Sequence, residues 1–277
     1  MSVRGASAEA RAALLDQQDR TLGAGAGTGT GDAARLGDDL FAVASVLRSE
    51  PGLRRIATDV STDANAKSGL VRSIFDGKLS QPALDLVAEA VRRRWTSARD
   101  LADTLEELGV RAVVHSAGDS PADAGQLSDE LFTVHRLVEG DAALRAALTD
   151  PARSVADRQR LLAGLLDGRA HAATVTLAQQ ALSGSYRTPG VALEAYEKIA
   201  ASVHSQRVAQ VHVAQELSET EQTRLQQALS RQYGREVHVN VVVDPALLGG
   251  MRVEIGEDVI DGTVATRLDD ARRRLAG

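Results

Sequence analysis

The sequence predicts a mainly α protein with a small α+β C-terminal domain: two tandem helical bundles followed by a β-α-β-β-α module. Three observations carry this expectation. Apolar residues recur at helical spacing through the first two thirds of the chain, a long internal repeat occurs within that region, and the apolar period drops to two beyond Arg207.

The first helix is expected from Ser7 to Leu22, with Ala6, Ala10, Ala13 and Leu14 near one face. Gly23 to Gly31 alternates glycine with alanine or threonine. The G-x-G-x-x-G fingerprint needs a step of two followed by a step of three, and glycines at odd positions alone cannot supply both. Residues 23–31 therefore read as a flexible linker.

The repeat follows at an offset of 91 residues: Leu36-Gly-Asp-Asp-Leu-Phe41 falls on Leu127-Ser-Asp-Glu-Leu-Phe132. Without a gap, Leu53-Arg54 then falls on Leu144-Arg145, Thr58-Asp59 on Thr149-Asp150, Leu70 on Leu161, Asp76-Gly77 on Asp167-Gly168, Trp95 on Tyr186 and Glu106 on Glu197. Such register points to a duplicated domain, and the period is too long for a solenoid unit. Within the copies, Leu70, Val71, Ile74 and Phe75 match Leu161, Leu162, Leu165 and Leu166 at helical spacing, and each set meets an Asp-Gly that can close a helix. Leu84, Val87 and Val91 form a further stripe, as do Leu101, Leu105 and Leu108. The turn-rich Ser116–Gly125 separates the copies. The expected domains are 1–115, 116–205 and 206–277.

In the third domain Ala209, Val211 and Val213 alternate with polar residues as a strand. Ser218-Glu219-Thr220-Glu221 is a capping box opening a helix that turns Leu225, Ala228, Leu229 and Tyr233 inward. Val237, Val239, Val241 and Val243 form a second strand, and Met251, Val253 and Ile255 a third. Asp261 can cap a last helix carrying Val264, Leu268, Ala271 and Leu275.

Composition narrows the function. At 277 residues, 43% hydrophobic and only 3% aromatic, the chain must fill its core with alanine, leucine and valine, which suits close helix packing. A net charge of −6 argues against a large nucleic-acid surface. Zero cysteines exclude disulfides, thiolate metal sites and cysteine nucleophiles. The N-terminus has no secretory h-region and no stretch is apolar enough to insert into a membrane, so any membrane association is expected through a partner.

Catalytic motifs do not emerge. The six histidines (His115, His135, His171, His204, His212 and His238) include no i, i+4 pair, and no Walker or nucleophile-elbow motif occurs. Asp244, Glu254, Asp258 and Asp261 form the one acidic set to weigh as a magnesium site. Each has a structural reading as turn, outward strand or cap residue, and no cofactor or metal is expected. Arg272-Arg273-Arg274 reads as a helix end. Arg92-Arg93-Arg94-Trp95 is ambiguous, because tryptophan and arginine together are common at interfaces.

Asp244-Pro245 after Val243, Gly249-Gly250 opening a strand, Ile255-Gly256, Val259-Ile260-Asp261-Gly262 and Arg267-Leu268 occur in order over twenty-five residues. This segment resembles the C-terminal signature of the delta subunit of bacterial F-type ATP synthases, whose mitochondrial relative is the oligomycin-sensitivity-conferring protein. Thr149-Asp150-Pro151 followed by Arg158 is similar to an upstream feature of the same family. Most members have one helical bundle; the duplication here resembles the longer actinobacterial form. The resemblance implies a non-catalytic stator in the peripheral stalk, present once per complex on the cytoplasmic face of the cell membrane. Its helical part would hold the N-terminal helices of the alpha subunits and its C-terminal module the b subunits, coupling rotation and hydrogen ion transport to ATP synthesis. The signature residues shape the module and are not a site. The alternative is a helical adaptor with a different protein partner.

Overall fold

The computed structural model describes residues 4–23, 29–118, 121–215, 217–233, 237–244, 247–255, 258–264 and 266. By contacts the chain divides into two compact units, Met1–Ala200 and Ala201–Gly277. No helix among the described residues is long and apolar enough to cross a membrane.

The first unit opens with α1 (Ala6–Gly23), then α2 (Thr30–Ser49), α3 (Pro51–Thr58), α4 (Ala64–Phe75), α5 (Gln81–Arg92) and α6 (Ala98–Ser116). It continues with α7 (Pro121–Gly140), α8 (Ala142–Thr149), α9 (Val155–Leu166), α10 (Ala172–Gln180) and α11 (Pro189–Arg207), inside which the boundary between the units falls. Residues 24–28 of the glycine run lie outside the described residues, whereas Gly23 ends α1 and Thr30-Gly31 opens α2.

Shifted by the offset read from the sequence, α2, α3, α4 and α6 land on α7, α8, α9 and α11 at both ends, and α5 and α10 share their start. The hydrogen bonds repeat with them. Asp39 Oδ2 accepts from the Ser80 amide at 2.7 Å, and its counterpart Glu130 Oε2 accepts from the His171 amide at 2.7 Å. Thr58 Oγ1 donates to Arg54 O and Thr149 Oγ1 to Arg145 O. Gly77 and Gly168 follow their helices at φ 66° and 63°. Helix bounds and hydrogen bonds thus repeat at the offset of the sequence match, within a single compact unit.

The apolar stripes account for the core of the first copy. Leu84, Val87, Val91, Leu101, Leu105 and Leu108 are all buried, together with Leu36, Leu40 and Leu47 of α2. Helices α2 and α6 form the most extensive helix pair. They approach closely because Gly37 and Gly109 face each other: a Cβ on Gly109 would stand 2.6 Å from the Phe41 ring.

One expectation needs correction here. The buried face of α1 is Ser7, Ala10, Leu14 and Gln18, not Ala6 and Ala13. The polar members find partners at long range: Ser7 Oγ accepts from the Thr96 amide at 2.7 Å, and Gln18 Nε2 donates to Leu108 O at 2.7 Å, although Gln18 Oε1 is buried without a partner. Trp95, which the sequence leaves ambiguous, turns its indole inward. It is 7% exposed in the core, with Nε1 donating to Ala90 O at 2.8 Å.

The second unit holds β1 (Val208–Val213), α12 (Glu219–Tyr233), β2 (His238–Val243), β3 (Met251–Ile255) and β4 (Asp258–Asp261). The sheet order is β2-β1-β3-β4, with β1 parallel to β2 and antiparallel to β3, and β3 antiparallel to β4. A parallel pair requires a crossover, and α12 supplies it. The capping box forms as read: the Ser218 amide donates to Glu221 Oε2 at 2.9 Å and the Glu221 amide to Ser218 Oγ at 3.4 Å. Ala209, Val211, Val213, Leu229, Val237, Val253 and Ile255 make the core, with Leu225 and Tyr233 packed against it. Ala228 and Val243, expected inward, are exposed. Ala228 follows the exposed Gln227 on the outer side of α12, and Val243 ends an edge strand. Most of the expected last helix lies outside the described residues.

Candidate docking surfaces

The signature residues build the turns that close the second unit. After β2 the Asp244 amide donates to Val213 O at 2.8 Å and Asp244 O accepts from the Leu247 amide at 3.1 Å, which returns the chain toward β3. Gly249 and Gly250 have φ 149° and 81°. A Cβ on Gly250 would lie 2.5 Å from Gly262 O and 3.0 Å from Thr263 Cα, so this crossing needs a residue without a side chain. Two backbone bonds seal it, Gly262 N to Met251 O at 2.9 Å and Val264 N to Gly249 O at 3.0 Å. Ile255 is 3% exposed in the core, and Ile260 sits in β4 opposite Val253, as a continued sheet requires. Pro245, Gly256, Arg267 and Leu268 lie outside the described residues.

The acids of the same region are engaged separately. Glu254 pairs with Arg252 at 2.8 Å. Asp261 Oδ1 accepts from the Thr263 amide at 2.9 Å, which with the Thr263 hydroxyl holds its carboxyl below the usual range. Asp258 begins β4 with its side chain exposed. Among the described residues no group of three or more His, Asp or Glu side chains is placed to hold a metal ion.

The surface that stands out is apolar. In the first copy α2, α3, α4 and α5 flank a shallow groove lined by aliphatic and aromatic side chains and by Lys67 alone among charged residues. The stripe Leu70, Val71, Ile74 and Phe75 forms one wall. The sequence marks it as a helical apolar face, yet only Val71 is fully buried: Leu70 is 41% exposed, and Ile56 across the groove is 48% exposed. Lys67 donates from Nζ to Asp59 O at 2.9 Å, ending α3, and burial pulls its ammonium below the usual lysine range.

Every lining position has a counterpart of the same character in the second copy. Val43, Leu47 and Leu53 correspond to Val134, Val138 and Leu144; Ile56 and Ala57 to Ala147 and Leu148; Val87 and Val91 to Ala178 and Leu182. Lys67 corresponds to Arg158, whose Nη1 donates to Leu148 O at 3.1 Å and so also serves the end of the preceding helix. Leu165, the partner of Ile74, is 40% exposed. Both copies therefore leave a leucine-rich face of their fourth helix partly uncovered. In the second unit Leu248 is 84% and Val264 40% exposed, and the Val264 amide donates to the carbonyl of Gly249, the residue after Leu248. Exposed apolar residues grouped in this way mark surfaces that meet other macromolecules.

Comparison with known proteins agrees with a binding role. The family model described as "ATP synthase delta (OSCP) subunit" matches residues 110–275. A Nocardioides protein named ATP synthase subunit delta is 58% identical over 276 residues, covering 100% of this chain and 98% of that protein. Proteins of the same name from Kineococcus radiotolerans and Streptomyces avermitilis are 46% and 42% identical, covering 89% and 100% of this chain and the same shares of their own lengths.

Proposed function

The chain belongs to the ATP synthase delta (OSCP) family, and from that membership we propose that it is the non-catalytic stator subunit of a proton-translocating F-type ATP synthase. The family match, with relatives collinear over the full length, carries this reading. The subunit is peripheral, held at the membrane through the complex, and one copy serves each enzyme.

In this reading the helical unit grips N-terminal helices of the alpha subunits and the α+β unit grips the b subunits of the stalk. A stator has to resist rotation, so it needs contacts with the head and with the stalk and a stiff body between them. Apolar grooves between bundle helices suit amphipathic partner helices, whose apolar face replaces the water over Ile56 and Leu70. Several modest contacts made at once hold more firmly than any one alone, since each raises the effective concentration of the next. The Gly250–Gly262 crossing keeps the sheet unit in shape, and the surface around Leu248 and Val264 is its contact with the stalk.

The test is ATP-driven proton pumping in membranes carrying either the whole chain or a chain lacking residues 206–277. The expected result is retained ATP hydrolysis with pumping lost. Pumping at the full-length level would overturn the reading, and capture of an unrelated protein with no synthase subunit would favour a general adaptor.

A further inference from the structure

Carrying α1 forward by the repeat offset gives a result absent from the pattern of domains. It lands on α6: Ala10 falls on Leu101 and Leu14 on Leu105, all four buried. The packing matches, for α1 lies on α5 and α6 lies on α10, the counterpart of α5. Helix α6 is thus the last helix of the first copy and also the first helix of the second. It is buried nearly all round, including the polar Thr104, Glu106 and Arg111.

Two charged residues of α6 reach into the second copy: Arg99, exposed, whose Nη2 donates to Ser185 O at 3.4 Å, and Glu106, which is buried. Glu106 is 1% exposed. One carboxylate oxygen accepts from the Tyr196 hydroxyl at 2.6 Å; the other accepts from the Ser185 amide at 2.8 Å and from Arg48 Nη1 of α2 at 2.7 Å. Tyr196 is fully buried and meets Tyr186 edge to face at 5.7 Å between centroids. Burial, and then the Glu106 charge, push the Tyr186 phenol up to about 12 and raise Tyr196 as well, so both stay protonated and Tyr196 remains a donor to the carboxylate. A Cβ on Gly184 would stand 2.1 Å from Glu106 Oε1, so the carboxylate fills a space that glycine leaves. A buried charge is costly unless fully partnered, and partners drawn from both copies tie its solvation to their relative placement.

We propose that the two helical copies are built as one rigid strut, with α6 as their common wall and the Glu106 carboxylate as the bond that fixes the angle between them. The mechanical use of such a strut rests on the stator reading; its existence does not. Because the chain has no cysteine, spin labels can be placed cleanly on the full-length protein at Ser73→Cys and Gly164→Cys, equivalent exposed positions on α4 and α9. Pulsed electron–electron distances should give one narrow distribution. Glu106→Ala should broaden it or split it into several distances while far-UV circular dichroism shows the helices intact. If that variant does not fold, Gly184→Ala, which leaves every partner in place but takes the carboxylate's space, should give the same broadening. A narrow, unshifted distribution in a folded Glu106→Ala or Gly184→Ala protein overturns the proposal. It would leave the stator reading standing, which loss of coupling tests separately.

Discussion

Replacing Ile56 and Leu70 together by glutamine should separate docking from folding. Ile56 is 48% and Leu70 41% exposed, so each has about half its surface still open to a partner. Full burial of such a side chain is worth about 1.5–3 kcal/mol, so the open fractions together offer roughly 1.3–2.6 kcal/mol to a helix lying in the groove. That corresponds to about a tenfold to eightyfold weaker Kd, and glutamine amides left without partners would add to the loss. Fold stability should change much less, because both side chains keep their inner atoms packed against the groove wall and their outer ends in water. The assay is titration of the catalytic head with the chain, run beside a thermal melt. The paired change at Leu161 and Leu165 asks the same of the second copy, where Leu165 is 40% exposed. Weakened binding from one pair and not the other identifies the copy that docks. Unchanged Kd for both pairs, in folded protein, would refute the groove as the docking surface.

Glu130→Gln should destabilise the first unit by about 1 kcal/mol at neutral pH, because a partly buried carboxylate loses its charge-assisted bonds. Burial pushes the Glu130 carboxyl up, but hydrogen bonds from Thr174, Gln126 and the His171 amide outweigh it and hold its pKa below the usual value. With the folded pKa depressed, this stability is present above the unfolded value of about 4.3 and lost as pH falls, so urea melts of variant and parent should converge in acid. Gly250→Ala should cost at least about 1–3 kcal/mol for the left-handed φ alone, before the clash with Gly262 O is relieved. Hydrogen exchange should show lost protection in β1–β4 with helices α2 to α6 unaffected. Leu14→Ala, at a fully buried position of α1, should cost about 2–5 kcal/mol in the melting of the helical unit.

Much of this was legible in the residues because duplication preserved register. The gapless match from Leu36 to Glu106 needs only identity at a fixed spacing, and it anticipated helix ends and even the Asp39–Ser80 and Glu130–His171 bonds that it did not name. The Gly249-Gly250 turn was legible for another reason: its backbone geometry restricts residue type locally. What failed was what depends on partners distant in sequence. Ser7 and Gln18 interrupt an apolar stripe, so Ala10 and Leu14 of α1 were read correctly but Ala6 and Ala13 were taken in place of the two polar residues; their hydrogen-bond partners, Thr96 and Leu108, are far away in the chain. Trp95 beside three arginines stayed ambiguous because nothing nearby reveals that its indole turns inward to Ala90 O. Periodicity also cannot distinguish an apolar face that meets its own core from one reserved for a partner. Leu105 and Leu70 look alike in the pattern, yet one is fully buried and the other 41% exposed.

Glu106 shows how these limits bear on function. In the sequence it is one more charged residue following Leu105 in a helix, notable only for falling on Glu197. A duplication joined by a loop would give two bundles free to swing, and a stator made that way would store each step of rotation as bending at the joint. A repeat whose boundary is a shared helix has no such joint. The offset already contained this fact, since it carries α1 onto α6 rather than onto a helix of its own. A shared helix must be buried on both sides, which explains why α6 is buried nearly all round, its polar Thr104, Glu106 and Arg111 included. It must also tolerate a polar tie across its second face. Arg48 from one side and Tyr196 and Ser185 from the other supply that tie. Stiffness within the helical unit is then a property of how the copies were joined, and it keeps the partly exposed faces at Leu70 and Leu165 on one body.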